Sequence, residues 1–125
     1  MNTKPVALII EDNEDQNLVF TNALRQAGYA TESVQDGGTA MKRLAELVPQ
    51  IVILDLHIPG VNGASLLGEI RQDPRTRHAH VIIVSADAEF AASLQAQVDL
   101  VLLKPVSFTQ LSLLAGRFLT ASNRS

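Results

Sequence analysis

Val6-Ala7-Leu8-Ile9-Ile10, Ile51-Val52-Ile53-Leu54, Val81-Ile82-Ile83-Val84 and Leu100-Val101-Leu102-Leu103 are continuous apolar runs with no polar residue at alternate positions. A strand with one face in water alternates apolar and polar side chains, so these runs predict strands buried on both faces. Helices must then cover the sheet from both sides, and the stretches between the runs supply them. Residues 14–27 place Leu18, Ala23, Leu24 and Ala27 at roughly helical spacing, with Gly28 as the left-handed stop. Residues 39–48 carry Ala40, Leu44 and Leu47 ahead of the breaker Pro49. Residues 65–72 carry Leu66, Leu67 and Ile70 and stop before Asp73-Pro74, where the residue preceding proline resists the helical region. A weaker fourth helix is predicted over 89–96, and a fifth over 108–119 with Leu111, Leu114, Ala115 and Phe118 on its inner side. A more polar strand over 29–34, expected at an edge, completes five strand–helix units. Right-handed crossovers wind such units into one doubly wound parallel sheet, an α/β fold.

The length of 125 residues fits one domain, here 1–120 with a polar tail over 121–125. With 4% aromatic residues and no Trp, the core must be mainly Leu, Ile, Val and Ala. A net charge of −3 offers no long-range attraction to nucleic acid or to an anionic membrane, so neither is expected as a direct partner. The absence of cysteine excludes disulfides, thiolate chemistry and cysteine-ligated zinc. The run Val6–Ile10 is too short for a signal-peptide core, and no apolar run approaches the ~20 residues that span a bilayer. A cytoplasmic location is expected.

Each apolar run also ends in a chemically capable residue: Glu11-Asp12, Asp55, Ser85 and Lys104. The carboxyl ends of the strands in an open parallel sheet lie along one edge, so these groups are expected to converge there. One polar residue at a strand end says little, because strands often end where the chain meets water. Several acids held together are different, since their mutual repulsion costs energy unless a cation offsets it. Mg²⁺, a hard ion held by oxygen ligands and commonly shared with phosphate, is the natural candidate. Asp55 follows the most buried-looking strand, and a carboxylate can act as a nucleophile that forms an aspartyl phosphate. Lys104 would contact both carboxylate and phosphoryl group, and Ser85 would hydrogen-bond a phosphoryl oxygen. Positioning and charge neutralisation are the main protein contributions to phosphoryl transfer.

The ordered set Glu11-Asp12, Asp55 with Pro59-Gly60 and Gly63, Ser85-Ala86, and Lys104-Pro105 resembles the receiver domain of two-component response regulators. The likeness covers essentially the whole chain, including Asp73-Pro74-Arg75-Thr76-Arg77-His78. It implies a flavodoxin-like (βα)5 sheet of order 2-1-3-4-5 and a phosphoacceptor that switches conformation to regulate an output domain or partner protein. The donor would be a histidine kinase or a histidine phosphotransfer protein. By the same resemblance Asp55 is the phosphoacceptor and Asp12 a direct Mg²⁺ ligand. Glu11 acts on the ion through water, and His57 lends its backbone carbonyl. Ser85 is the switch hydroxyl, Lys104 ties the site together, and the Lys104-Pro105 bond is cis. Such a domain assists its own phosphorylation and dephosphorylation and is not otherwise an enzyme.

The chain departs from that pattern at Val101, where the family usually carries Tyr or Phe, and at Gln97-Val98, which replace a common Gly-Ala. A stiff valine has little to swing. Output through another surface, or a role as phosphoryl shuttle or sink, becomes an alternative. A pseudo-receiver serving as a constitutive interaction module is a further one, opposed by the intact Asp12, Asp55 and Lys104. A phosphatase of the haloacid dehalogenase type needs a second aspartate two positions after the nucleophile, and His57 stands there. The side chain of His57 is read as solvated, and His78 and His80 as facing apart. Gly60 and Gly63 are read as turn residues, and Lys42, Arg43, Arg71, Arg75 and Arg77 as solvated faces. Glu14, Asp15 and Asn17 open the first helix, with a place for Asp15 and Asn17 in docking the phosphodonor.

Overall fold

The computed structural model describes residues 4–122. In chain order the elements are β1 (Val6–Ile10), α1 (Glu14–Ala27), β2 (Ala30–Val34), α2 (Gly37–Glu46), β3 (Ile51–Asp55), α3 (Gly63–Gln72), β4 (His80–Ser85), α4 (Ala88–Ser93), a 3-10 turn (Gln95–Gln97), β5 (Leu100–Leu103) and α5 (Phe108–Ser122). The strands form one sheet of order β2-β1-β3-β4-β5 with every pairing parallel, as expected. None of the described helices is long and apolar enough to cross a membrane.

The non-alternating runs divide by parity between two core layers. Leu8, Ile10, Val52, Leu54, Val81 and Ile83 meet Ala40 and Leu44 of α2, Leu66, Leu67 and Ile70 of α3, and Ala91 of α4. Ala7, Ile9, Ile51, Ile53, Ile82 and Val84 face the other way, against Phe20, Ala23 and Leu24 of α1 and Leu111 and Ala115 of α5. Each fully buried Leu or Ile contributes roughly 1.5–3 kcal/mol, so both faces of the sheet hold their helices. Only Val34 of β2 is buried, which is the edge position its polarity predicted.

Local signals set the helix ends. Asn13 caps α1 by accepting from the Gln16 amide, and Gly28, at φ 115°, returns its N–H to the Leu24 and Arg25 carbonyls. Leu18 is 61% exposed and does not join the inner face of α1, which is made by Asn17, Phe20, Thr21, Ala23 and Leu24. α2 starts two residues before its predicted start, because Asp36 caps it through the Thr39 amide. Gly37 is required there by close approach: a Cβ would fall 2.0 Å from the Val61 carbonyl oxygen. α3 likewise starts early, at Gly63, under an Asn62 cap. α4 is shorter than predicted, and α5 runs to Ser122 rather than Leu119. Residues 123–125 of the predicted tail lie outside the described residues.

Three arginines predicted as solvated faces tie elements together. Arg43 makes two 2.7 Å bonds to Glu32, joining α2 to β2. Arg71 donates to the Gln97, Arg77 and Ala79 carbonyls at 2.7, 2.9 and 2.6 Å. Arg75 donates to the Leu44 carbonyl at 2.6 Å, near the C-terminal end of α2 where helical carbonyls lack internal partners.

Candidate functional site

Parallel register brings the functional side chains to one edge. β1 and β3 pair through Ile10 and Leu54, so Glu11 and Asp55 follow as neighbours. Asp55 lies opposite Val84, and Ser85 lies opposite Leu103, the residue before Lys104. The Lys104 amide donates to the Ser85 carbonyl at 2.9 Å, and the Lys104-Pro105 bond is cis.

Glu11 is turned inward, 1% exposed, with Oε2 accepting from the Asn13 amide at 3.1 Å. Asp12, one residue on, is exposed. Asp55 is 5% exposed, and its Oδ1 accepts from the His57 amide at 3.1 Å. One oxygen from each of Glu11, Asp12 and Asp55 lies within 4.8 Å of the others. The Lys104 ammonium stands 2.9 Å from Glu11 Oε1 and 3.3 Å from Asp55 Oδ2.

Four predicted residues are therefore together: Glu11, Asp12, Asp55 and Lys104. Ser85 is fully buried beside them, with its Oγ accepting from the Asp87 amide at 3.0 Å. The His57 side chain is exposed, as read from the sequence, and has neighbours outside the acidic cluster. Its Nε2 is 3.6 Å from Asp87 Oδ2, and its ring centroid is 5.7 Å from that of Phe90. Asp15 remains at the surface, where with Gln16, Val19, Phe20, Lys104, Pro105 and Val106 it lines a groove beside the site.

Asn17 lies in the first turn of α1 as expected, but at 6% exposed it cannot take the alternative place in docking a partner. Its Nδ2 donates to the carbonyls of Glu11 at 2.9 Å and Val34 at 3.1 Å, while Oδ1 accepts from Thr21 Oγ1 at 3.2 Å. The signal that finds it is local. Asn17 and Thr21 stand one turn apart on the helix face that also carries Leu24, and polar groups on an inner face require partners.

Burial, followed by the neighbouring Asp55 carboxylate, pushes Glu11 up to about 7 against the opposing pull of Lys104 and the Asn13 amide. Burial pulls the Lys104 ammonium down, but its contacts with Glu11 and Asp55 outweigh this and hold it above the ordinary lysine value. Two of the three clustered carboxylates, Glu11 and Asp55, thus share one ammonium, and Glu11 Oε1, though 2.9 Å from it, is buried without a hydrogen bond. A divalent oxygen-seeking ion fits this donor set. Mg²⁺ needs only one or two carboxylates and retains waters, for which the exposed side of Asp12 leaves room.

The raised Glu11 value has a sign that can be measured without metal. The folded state holds this proton more tightly than the unfolded chain, whose carboxyl titrates near 4.5, so stability falls as pH rises from about 4.5 to 7. Glu32, Asp36 and Asp73 are shifted below their ordinary values and have finished titrating before this window. In chelator, the thermal midpoint is expected to fall by several degrees between pH 5 and pH 8, and Glu11→Gln to remove most of that fall. An equal fall in both proteins assigns the slope to another group.

The profile describing the response regulator receiver domain matches residues 7–115. Chemotaxis protein CheY-3 of Vibrio cholerae is 31% identical over 109 residues, which cover 84% of this chain and 84% of CheY-3. The phosphate regulon transcriptional regulatory protein PhoB of Rhizobium meliloti is 30% identical over 110 residues, 86% of this chain. The chain spans about half of PhoB, 48% of its length. Among solved structures, the signal receiver domain of a signal transduction histidine kinase from Syntrophus aciditrophicus superposes with a TM-score of 0.83 at 27% identity, covering 97% of this chain and 94% of that one.

Proposed function

The chain belongs to the response regulator receiver domain family, a family of signalling domains, and from that membership we propose that it accepts a phosphoryl group onto Asp55 from a phosphohistidine of a histidine kinase or phosphotransfer protein. The observation that carries this reading is the Lys104 ammonium set between Glu11 and Asp55, with Asp12 completing the acidic edge. In the transfer the donor's P–N bond breaks as an Asp55 oxygen bonds to phosphorus, and the departing imidazole keeps the electron pair and takes up a proton. Asp12 would hold Mg²⁺ directly, Glu11 through water and His57 through its carbonyl, and the bound ion would supply charge neutralisation at the phosphoryl oxygens. Lys104 balances charge beside Asp55 and Glu11. Ser85 Oγ can serve as a phosphoryl partner after giving up the Asp87 amide it now accepts from. Acetyl phosphate with Mg²⁺ tests the reading: intact mass is expected to rise by one phosphoryl group, and an unchanged mass refutes it.

Val101 favours a second form of the same function, a relay whose output does not run through β5 and α5. Its half-buried side chain packs against the core layer that also meets α2, α3 and α4, with no ring to relocate. Beryllofluoride, a phosphoryl mimic, is expected to move the amide resonances of the loops after Asp55 and Ser85 strongly, and those of Leu100–Leu103 and α5 only slightly. Large shifts running through α5 would show that the switch works without its aromatic.

A further inference from the structure

The β1–β2 ladder ends at Ile10 and Val34, and the last backbone bond beyond it runs from the Glu11 amide to the Val34 carbonyl at 3.1 Å. Past that point the two strands diverge, and the Glu11 carbonyl, next to a fully buried side chain, has no strand partner to accept from. Buried carbonyls are rarely left unmet. Asn17, in the first turn of α1, meets this one and the Val34 carbonyl with the two protons of a single amide group. Thr21 Oγ1 donates to the remaining oxygen, and because the two carbonyls can only accept, the amide is held in one orientation.

The pinned oxygen belongs to the peptide that links Glu11 to Asp12. Fixing that peptide plane fixes the direction in which both neighbouring side chains leave the backbone, one inward toward Lys104 and the other outward. We infer that Asn17 is a positioning residue, which by clamping the Glu11–Asp12 peptide to the end of β2 holds the two acids in the arrangement that binds the divalent cation. The inference rests on the metal site proposed above. Partners one shell removed from a metal typically contribute about 10- to 100-fold to its affinity, and Asn17 acts at that remove, through the backbone.

The test compares Asn17→Leu, which keeps the volume and loses the amide, with Thr21→Val, which leaves Asn17 in place but frees its oxygen. Ile70→Val, in the core layer on the other face of the sheet, serves as a control for lost packing. Mg²⁺ affinity is read by NMR titration, and the hydrogen exchange of the Glu11 amide is read in chelator. Asn17→Leu is expected to weaken Mg²⁺ binding about tenfold and Thr21→Val about threefold, both with faster Glu11 exchange, while Ile70→Val changes neither. Unchanged affinity and exchange in the two α1 variants overturn the inference. So does a loss in Ile70→Val equal to theirs. If Asn17→Leu does not fold, the isosteric Thr21→Val decides alone. If the unmutated protein binds no Mg²⁺, the metal reading falls, and exchange at Glu11 still decides whether Asn17 clamps the peptide.

Discussion

Asp55→Asn is expected to fold normally and to take up no phosphoryl group, where the unmutated protein takes up one. The substitution preserves shape, and the oxygen that accepts from the His57 amide at 3.1 Å has an equivalent in asparagine. What changes is charge. One of three clustered carboxylates disappears, which relieves repulsion with Glu11, while Lys104 keeps its 2.9 Å approach to Glu11 Oε1. Stability therefore stays level or rises slightly. Chemistry is lost outright, because a neutral amide oxygen does not form an acyl phosphate. No other carboxylate in the cluster matches Asp55. Asp12 is exposed and makes no ion pair with Lys104, and Glu11 is held by the Asn13 amide and lies against the ammonium. Intact-mass measurement after incubation with acetyl phosphate and Mg²⁺ checks this, with a chelated sample of the unmutated protein giving the same blank. Undiminished labelling of the variant would end the assignment of Asp55.

The parts of this design that are legible in the chain are those written in consecutive residues. The C-terminal bound of α1 is readable because Gly28 marks it with backbone chemistry of its own. The acids, hydroxyl and lysine are readable because each terminates a run that parallel pairing forces to one edge. The need for glycine at position 37, the first residue of α2, is not readable, because it comes from Val61, more than twenty residues later, lying too close for any other side chain. The His57 ring and the Arg71 and Arg75 guanidiniums find their partners on other elements, Asp87, Gln97 and Leu44, that only the finished fold brings near. Propensity and spacing carry no record of such meetings. Leu18 and Asn17 show the same limit within one helix. Apolarity suggested that Leu18 faces inward, but the carbonyls left open where β1 and β2 part call for an amide, and the helix turns Asn17 to them.

Asp12→Ala and His57→Ala separate a charged metal ligand from a backbone one. Asp12 is the exposed member of the acidic cluster, the one whose oxygens can meet an ion while waters and phosphate occupy its other side. Its loss removes a full negative charge and the proposed direct ligand, so Mg²⁺ affinity is expected to fall at least as far as the roughly 10- to 100-fold caused by losing an outer partner. His57 sits two residues after Asp55, but its ring is directed to Asp87 and Phe90. Alanine at 57 keeps the amide that donates to Asp55 Oδ1 and the carbonyl proposed to face the ion, so affinity is expected to stay within a few-fold. NMR titration of each variant with Mg²⁺ checks both expectations. Equal losses would put the imidazole itself on the ion, and its contact with Asp87 would then have to break whenever metal binds.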